Sequence, residues 1–180
     1  NNKYFYWSKG GGYNVIVTMD RSDLTSGGVF PWETGPLLTM NAIVAGVTAR
    51  FKCAIGYVGV YDLNLMWTDG DIQEYNYGET YLSKAIGKDK ATLNKFSPLY
   101  NVGKIKAPVF LIHGEEDERV PESHFHAMKK ALKKAGNPAE TMLVDGEGHG
   151  FYKEENRQAM YERLLAFLDE HIGDKKLVSN

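Results

Sequence analysis

The spacing of three segments constrains this chain more than any other feature. APVFLIHG (107–114) is a continuous apolar run behind a proline, and ETMLVDG (140–146) is again strand-like. Between them, PESHFHAMKKALKKAG (121–136) repeats apolar residues at helical intervals. An apolar run without polar alternation is what a strand buried on both faces requires. Phe125, Met128, Leu132 and Ala135 define one face of the intervening helix, lysines fill the other, and Gly136 stops it. A last segment, NRQAMYERLLAFLDEHIG (156–173), stacks Met160, Leu164, Leu168 and Ile172 at every fourth position before Gly173. Upstream, FKCAIGYVGVYD (51–62) is β-branched and aromatic, and Cys53 within it reads as a small buried apolar residue. Strand, helix, strand, helix at this rhythm predicts right-handed crossovers. The expected class is α/β, a mostly parallel sheet with helices on both faces.

The rest of the chain is less regular. Residues 63–100 mix aromatics and acids around two short helices, and suit either a surface excursion or a wall of a substrate cleft. Residues 1–50 form an atypical segment of different character, so a boundary is drawn there, with 51–180 as the α/β part. KYFYWSK and YNVIVTMD flank a Gly-Gly-Gly turn, which predicts a β-hairpin, and a Gly/Pro-rich loop then leads into an apolar, helix-like stretch. An antiparallel hairpin fits poorly at the front of a parallel sheet, so the sheet is expected to be incomplete on its N-terminal side, leaving the strand at Phe51 as an open edge.

Composition excludes several classes. The net charge is −2 with no clustered Lys/Arg stripe, which argues against a nucleic-acid partner. The apolar runs are too short to span a bilayer. The single Cys53 allows no disulfide within the chain, and no His/Cys/Asp grouping has zinc spacing. A cytoplasmic protein without metal or organic cofactor is the expectation.

Two loops carry the chemistry. HGEEDERVP (113–121) puts Asp117 directly after a buried strand, where open parallel sheets place functional loops. DGEGHGF (145–151) puts His149 after the next strand, among Gly146, Gly148 and Gly150. The two are 32 positions apart, room for one crossover helix, so adjacent strand ends present a carboxylate and an imidazole side by side. A serine hydrolase needs that pairing: the acid fixes the histidine tautomer, and the histidine takes the proton of the nucleophile. The order, acid before histidine near the C-terminus, matches Ser…Asp…His of the α/β-hydrolases. The other histidines fit structural roles. His113 is placed to brace the Asp117 loop, His124 and His126 point to different faces of a helix start, and His171 suits a helix C-terminus.

APVFLIHGEEDERVP followed by a helix and VDGEGHGF resembles the C-terminal signature of the prolyl oligopeptidase family, in particular its dipeptidyl- and acylaminoacyl-peptidase branches. FSPLYNVGKIKAP (96–108) and FKCAIGYVGVYDL (51–63) resemble the segment before the penultimate strand and the strand after the nucleophile helix. The resemblance implies an α/β-hydrolase catalytic domain, with Asp117 and His149 in a Ser-Asp-His triad hydrolysing peptide or acyl bonds of short peptides or acyl-peptides. The N-terminal hairpin is similar, more weakly, to a blade of the β-propeller that precedes the hydrolase domain in this family.

The serine is not evident. The fold needs a G-x-S-x-G elbow, and no such sequence occurs in the chain. Counting back one helix from Phe51 reaches Thr34, in PWETGPLL. Ser26 lacks the spacer before its glycines, and Ser8 in YWSKGGGY lacks the leading glycine and lies too far from Phe51. Three readings remain open: a serine peptidase, a small-molecule esterase with the same machinery, and an inactive fragment or pseudo-hydrolase with a packing role. The chain is expected to form a homo-oligomer or to be part of a longer polypeptide.

Overall fold

The computed structural model describes the backbone of residues 3–10, 13–20 and 51–172, with side chains from Lys52 to Ile172. β1 (Lys3–Gly10) and β2 (Tyr13–Asp20) pair antiparallel, with Gly10 opposite Tyr13. β3 (Phe51–Tyr57), β4 (Val109–Gly114) and β5 (Glu140–Val144) are mutually parallel, and all five strands lie side by side in chain order. The expectation of an open edge at Phe51 does not hold. β2 runs antiparallel along β3, matching Asn14 with Tyr57 and Val17 with Ala54. The N–H and C=O groups that an edge strand would offer to a neighbouring chain are taken up by the hairpin.

The parallel strands show why the sequence splits into two cores. Side chains alternate across a strand. Ala54, Val109 and Leu111 therefore point to one face, where they meet Phe125, Met128 and Leu132 of the helix Glu122–Lys134. Cys53, Ile55, Phe110 and Ile112 point to the other face, against Met160, Phe167, Leu168 and Ile172. All six residues of β4 are buried, as its unbroken apolar run requires. Burying Phe110 alone contributes about 2–3 kcal/mol.

Between β3 and β4 the chain makes an excursion containing α1 (Gly78–Ala85) and α2 (Lys90–Phe96), with short 3₁₀ turns around them. Met66, Ile72 and Leu82 give it a small core of its own. Residues 51–62, one strand-like run in sequence, divide at Val58, whose φ of 46° turns the backbone out of the sheet after Tyr57.

α3 (Glu122–Lys134) crosses from β4 to β5, and α4 (Glu154–Ile172) follows β5. Glu122 at the start of α3 and Lys133 and Lys134 at its end suit the helix dipole. Gly136, at φ 79°, lets the amide of Asn137 reach back to the Leu132 carbonyl at 3.0 Å. Ala135 lies at the exposed cap rather than on the apolar stripe, a correction to the helical pattern. On α4, Phe167 and Leu168 are buried while Leu164 is only partly so, because the stripe turns with the 3.6-residue period. Among the described residues no helix is long and apolar enough to cross a membrane.

Candidate active site

The loops after β4 and β5 are fastened to each other by backbone. The amide of Glu115 donates to the Val144 carbonyl at 3.0 Å, and that of Glu116 to the Glu147 carbonyl at 2.9 Å. The fit is close enough to need glycine at 114, where a Cβ would stand 2.2 Å from the carbonyl oxygen of Glu147. This ladder brings Asp117 against His149. His149 Nδ1 lies 2.9 Å from Asp117 Oδ2 and 3.1 Å from Oδ1. The Asp117 side chain is sealed from solvent, whereas that of His149 is 21% exposed. A carboxylate facing Nδ1 favours the tautomer that carries its proton there; the other ring nitrogen, Nε2, is buried although the side chain as a whole is partly exposed.

Asp117 is itself held in place. Its Oδ1 accepts from the Val120 amide at 2.8 Å. His113 donates Nε2–H to the Val120 carbonyl at 2.7 Å and stands 3.5 Å from Asp117 Oδ2. Burial lowers the pKa of His113, which Val120 and Asp117 offset in part. His113 therefore braces the acid loop, the role its position suggests.

His124, at the start of α3, is fully buried. Its Nδ1 accepts from the backbone amides of Tyr61 at 3.2 Å and Asp62 at 3.4 Å, tying α3 to the turn after β3. Burial pushes its pKa down to about 4, since protonating Nδ1 would also set a donor against two N–H groups. Asp62 continues the network, accepting from the Asn64 amide at 2.9 Å and the Tyr100 hydroxyl at 3.0 Å. His126 is exposed beside Glu122, and His171 packs its ring against Phe167.

Beside His149 lies a cavity of about 230 Å³, walled by Ile55, Tyr57, Ile112, Phe151 and α4 residues from Arg157 to Leu164. Tyr57 accepts from the Phe151 amide at 2.8 Å and meets its ring edge-on. Burial pushes the Tyr57 hydroxyl up to about 12, so it stays a neutral wall rather than an acid. Neither Tyr57 nor Glu147, whose carboxylate anchors the histidine loop, was singled out from sequence. Glu147 sits in a glycine-rich loop that gives no sign of the direction its side chain takes.

Of the nucleophile candidates, Ser8 lies within β1, opposite Val15, with β2 and β3 between it and β4. A residue inside an antiparallel strand is not on a strand-to-helix elbow. Ser26 and Thr34 lie outside the described residues. Ser97 and Ser123 have structural partners: Ser97 Oγ bonds the Leu63 amide and the Leu93 carbonyl, and Ser123 bonds Asp69.

The sequence profile of the prolyl oligopeptidase family matches residues 35–175. The chain belongs to that family. Its match takes in Asp117, His149 and the parallel half, and begins past Ser8, Ser26 and Thr34. Dipeptidyl aminopeptidase BIII of Pseudoxanthomonas mexicana is 27% identical over 167 residues, 89% of this chain and 23% of that protein. The uncharacterized peptidase YtmA of Bacillus subtilis is 40% identical over 62 residues, 34% of this chain and 24% of that protein. Among solved structures, a Mycobacterium tuberculosis puromycin-hydrolyzing peptidase aligns at TM-score 0.68 and 28% identity, over 76% of this chain and 20% of that one. The acylaminoacyl peptidase of Pyrococcus horikoshii aligns at TM-score 0.68 and 22% identity, over 80% of this chain and 24% of that one, a likeness of fold. This family member's match thus covers between 20% and 24% of the length of these relatives.

Proposed function

We propose that residues 51–172 carry the acid and base of a serine-type peptidase centre, acting on peptide or acyl bonds of short peptides. Asp117 orients the imidazole and stabilises its charged form. His149 removes the proton of an attacking serine through Nε2 and returns it to the leaving amine. The observation that carries this reading is the contact of both Asp117 oxygens with His149 Nδ1, at 2.9 and 3.1 Å, from a sealed carboxylate to a partly exposed side chain. Family membership supports it, because the relatives include named peptidases. Nitrogen NMR of the histidine rings tests it. Neutral His149 should be the Nδ1–H tautomer with a downfield-shifted proton, and Asp117→Asn should abolish that signal. A dominant Nε2–H tautomer in the unaltered chain would remove the base and refute the assignment.

A second reading is favoured by the position of Ser8 in a hairpin strand and by the start of the family match at residue 35. On this reading the 180-residue chain is an inactive fragment that keeps the acid–histidine pair without a working nucleophile. Hydrolysis separates the two, because only an activated serine turns over an acyl substrate.

A further inference from the structure

Glu147 is buried, two residues before His149, and the hydrogen bonds its carboxylate accepts close the histidine loop. Its carboxylate Oε2 accepts from the Tyr152 amide at 2.7 Å, and Oε1 accepts from the Lys153 amide at 3.1 Å and from Asn156 Nδ2 at 2.7 Å. Its own carbonyl accepts from Glu116 in the acid loop. The segment from Glu147 to Lys153 is therefore a small loop whose first side chain is bonded to its last two amides. At the tip, Gly148 and Gly150 bridge each other and flank His149. We propose that Glu147 is a positioning residue for the His149 imidazole, clamping its loop between the Asp117 loop and the first turn of α4. The inference rests on the acid–base reading of Asp117 and His149.

The chemistry of the clamp calls for a carboxylate. All three of its partners are N–H donors, and hydrogen bonds to a charged acceptor are about twice as strong as neutral ones. Burial opposes the charged form of Glu147, but the bonds from Asn156, Tyr152 and Lys153 outweigh it and hold the pKa below the ordinary glutamate value. Glutamine is the closest isostere and fails at one point, since its NH₂ group would face one of these donors. A glutamate serving only stability would raise the melting temperature without affecting the ring of His149 well below it.

The test follows the His149 Nδ1–H proton by NMR in the whole chain, in the unaltered protein and in Asp117→Asn, Glu147→Gln and Asn156→Ala. We expect a signal that depends on Asp117, and exchange with solvent about tenfold or more faster in E147Q, at a temperature where β4 and α3 amides are unchanged. N156A, which removes one donor from outside the loop, should speed exchange by a smaller factor. It carries the test alone if E147Q does not fold. An Asp117-dependent signal that neither variant moves overturns the role of Glu147 and leaves the acid–base pair standing. No Asp117-dependent signal in the unaltered chain overturns both.

Discussion

The parallel half of the sheet and the antiparallel hairpin solve different problems. In β3, β4 and β5 each strand is followed by a turn out of the sheet, so the loops at their carboxyl ends collect on one side. Asp117 and His149 meet there because one crossover helix separates two adjacent parallel strands. The hairpin closes on itself between Gly10 and Tyr13 and returns its chain along β3, covering an edge. Ser8, inside its first strand, stands on no strand-to-helix turn among the described residues. An acid–histidine pair is thus a property of two adjacent parallel strands joined by one crossover, whereas a nucleophile needs a strand-to-helix elbow ahead of β3, which the described residues do not contain.

The largest effect expected from this contrast is on turnover. On the reading without a working nucleophile, the chain should be close to inert against aminoacyl or peptidyl chromogenic substrates, as losing a triad nucleophile costs about 10⁶-fold. Robust hydrolysis that vanishes in Ser8→Ala would erase the distinction between the halves.

The next effect concerns where stability resides. Phe110 fills the core between the sheet and α4, stacking obliquely on Phe167 at 5.4 Å. Phe110→Ala should cost about 4 kcal/mol in chemical denaturation. A loss under 1 kcal/mol would mean that the parallel half is not the stable core assumed for the site.

A third effect depends on pH. His124 has a folded pKa of about 4, below its unfolded value near 6.5. Between those values the unfolded chain binds more protons, so stability is full above pH 6.5 and falls as pH drops toward 4. The contribution is of the order of 3 kcal/mol, and the lowered pKa of His113 adds with the same sign. Thermal melts at pH 7.5 and 4.5 should therefore differ more for the unaltered protein than for His124→Gln. Equal differences would show that this histidine does not titrate on unfolding.

The smallest effect concerns the hairpin. Val17 pairs with Ala54 of β3, and Val17→Pro should break that rung at about 1 kcal/mol while opening the edge. Light scattering should report a larger particle, with the His149 signal unchanged. If V17P removed that signal, the hairpin would be part of the site.

These contrasts also explain what the sequence made legible. β4, α3, β5 and α4 were readable because their apolar periods are long and local, and Asp117 and His149 because each follows such a strand. What escaped depends on distant partners. The burial of His124 is set by amides more than sixty positions away, and the clamp at Glu147 by a helix that begins after its loop. The pairing of β2 with β3 joins residues separated by a long intervening segment, and no local pattern in either strand names the other.

We expect the parallel half to supply an acid and a base in a chain that presents no activated serine. A fluorophosphonate, which bonds only to such a serine, tests it most directly when the adduct is located by peptide mass spectrometry. No serine should be labelled above a heat-denatured control. A label on Ser8, Ser26 or any other serine that disappears in His149→Ala would contradict it.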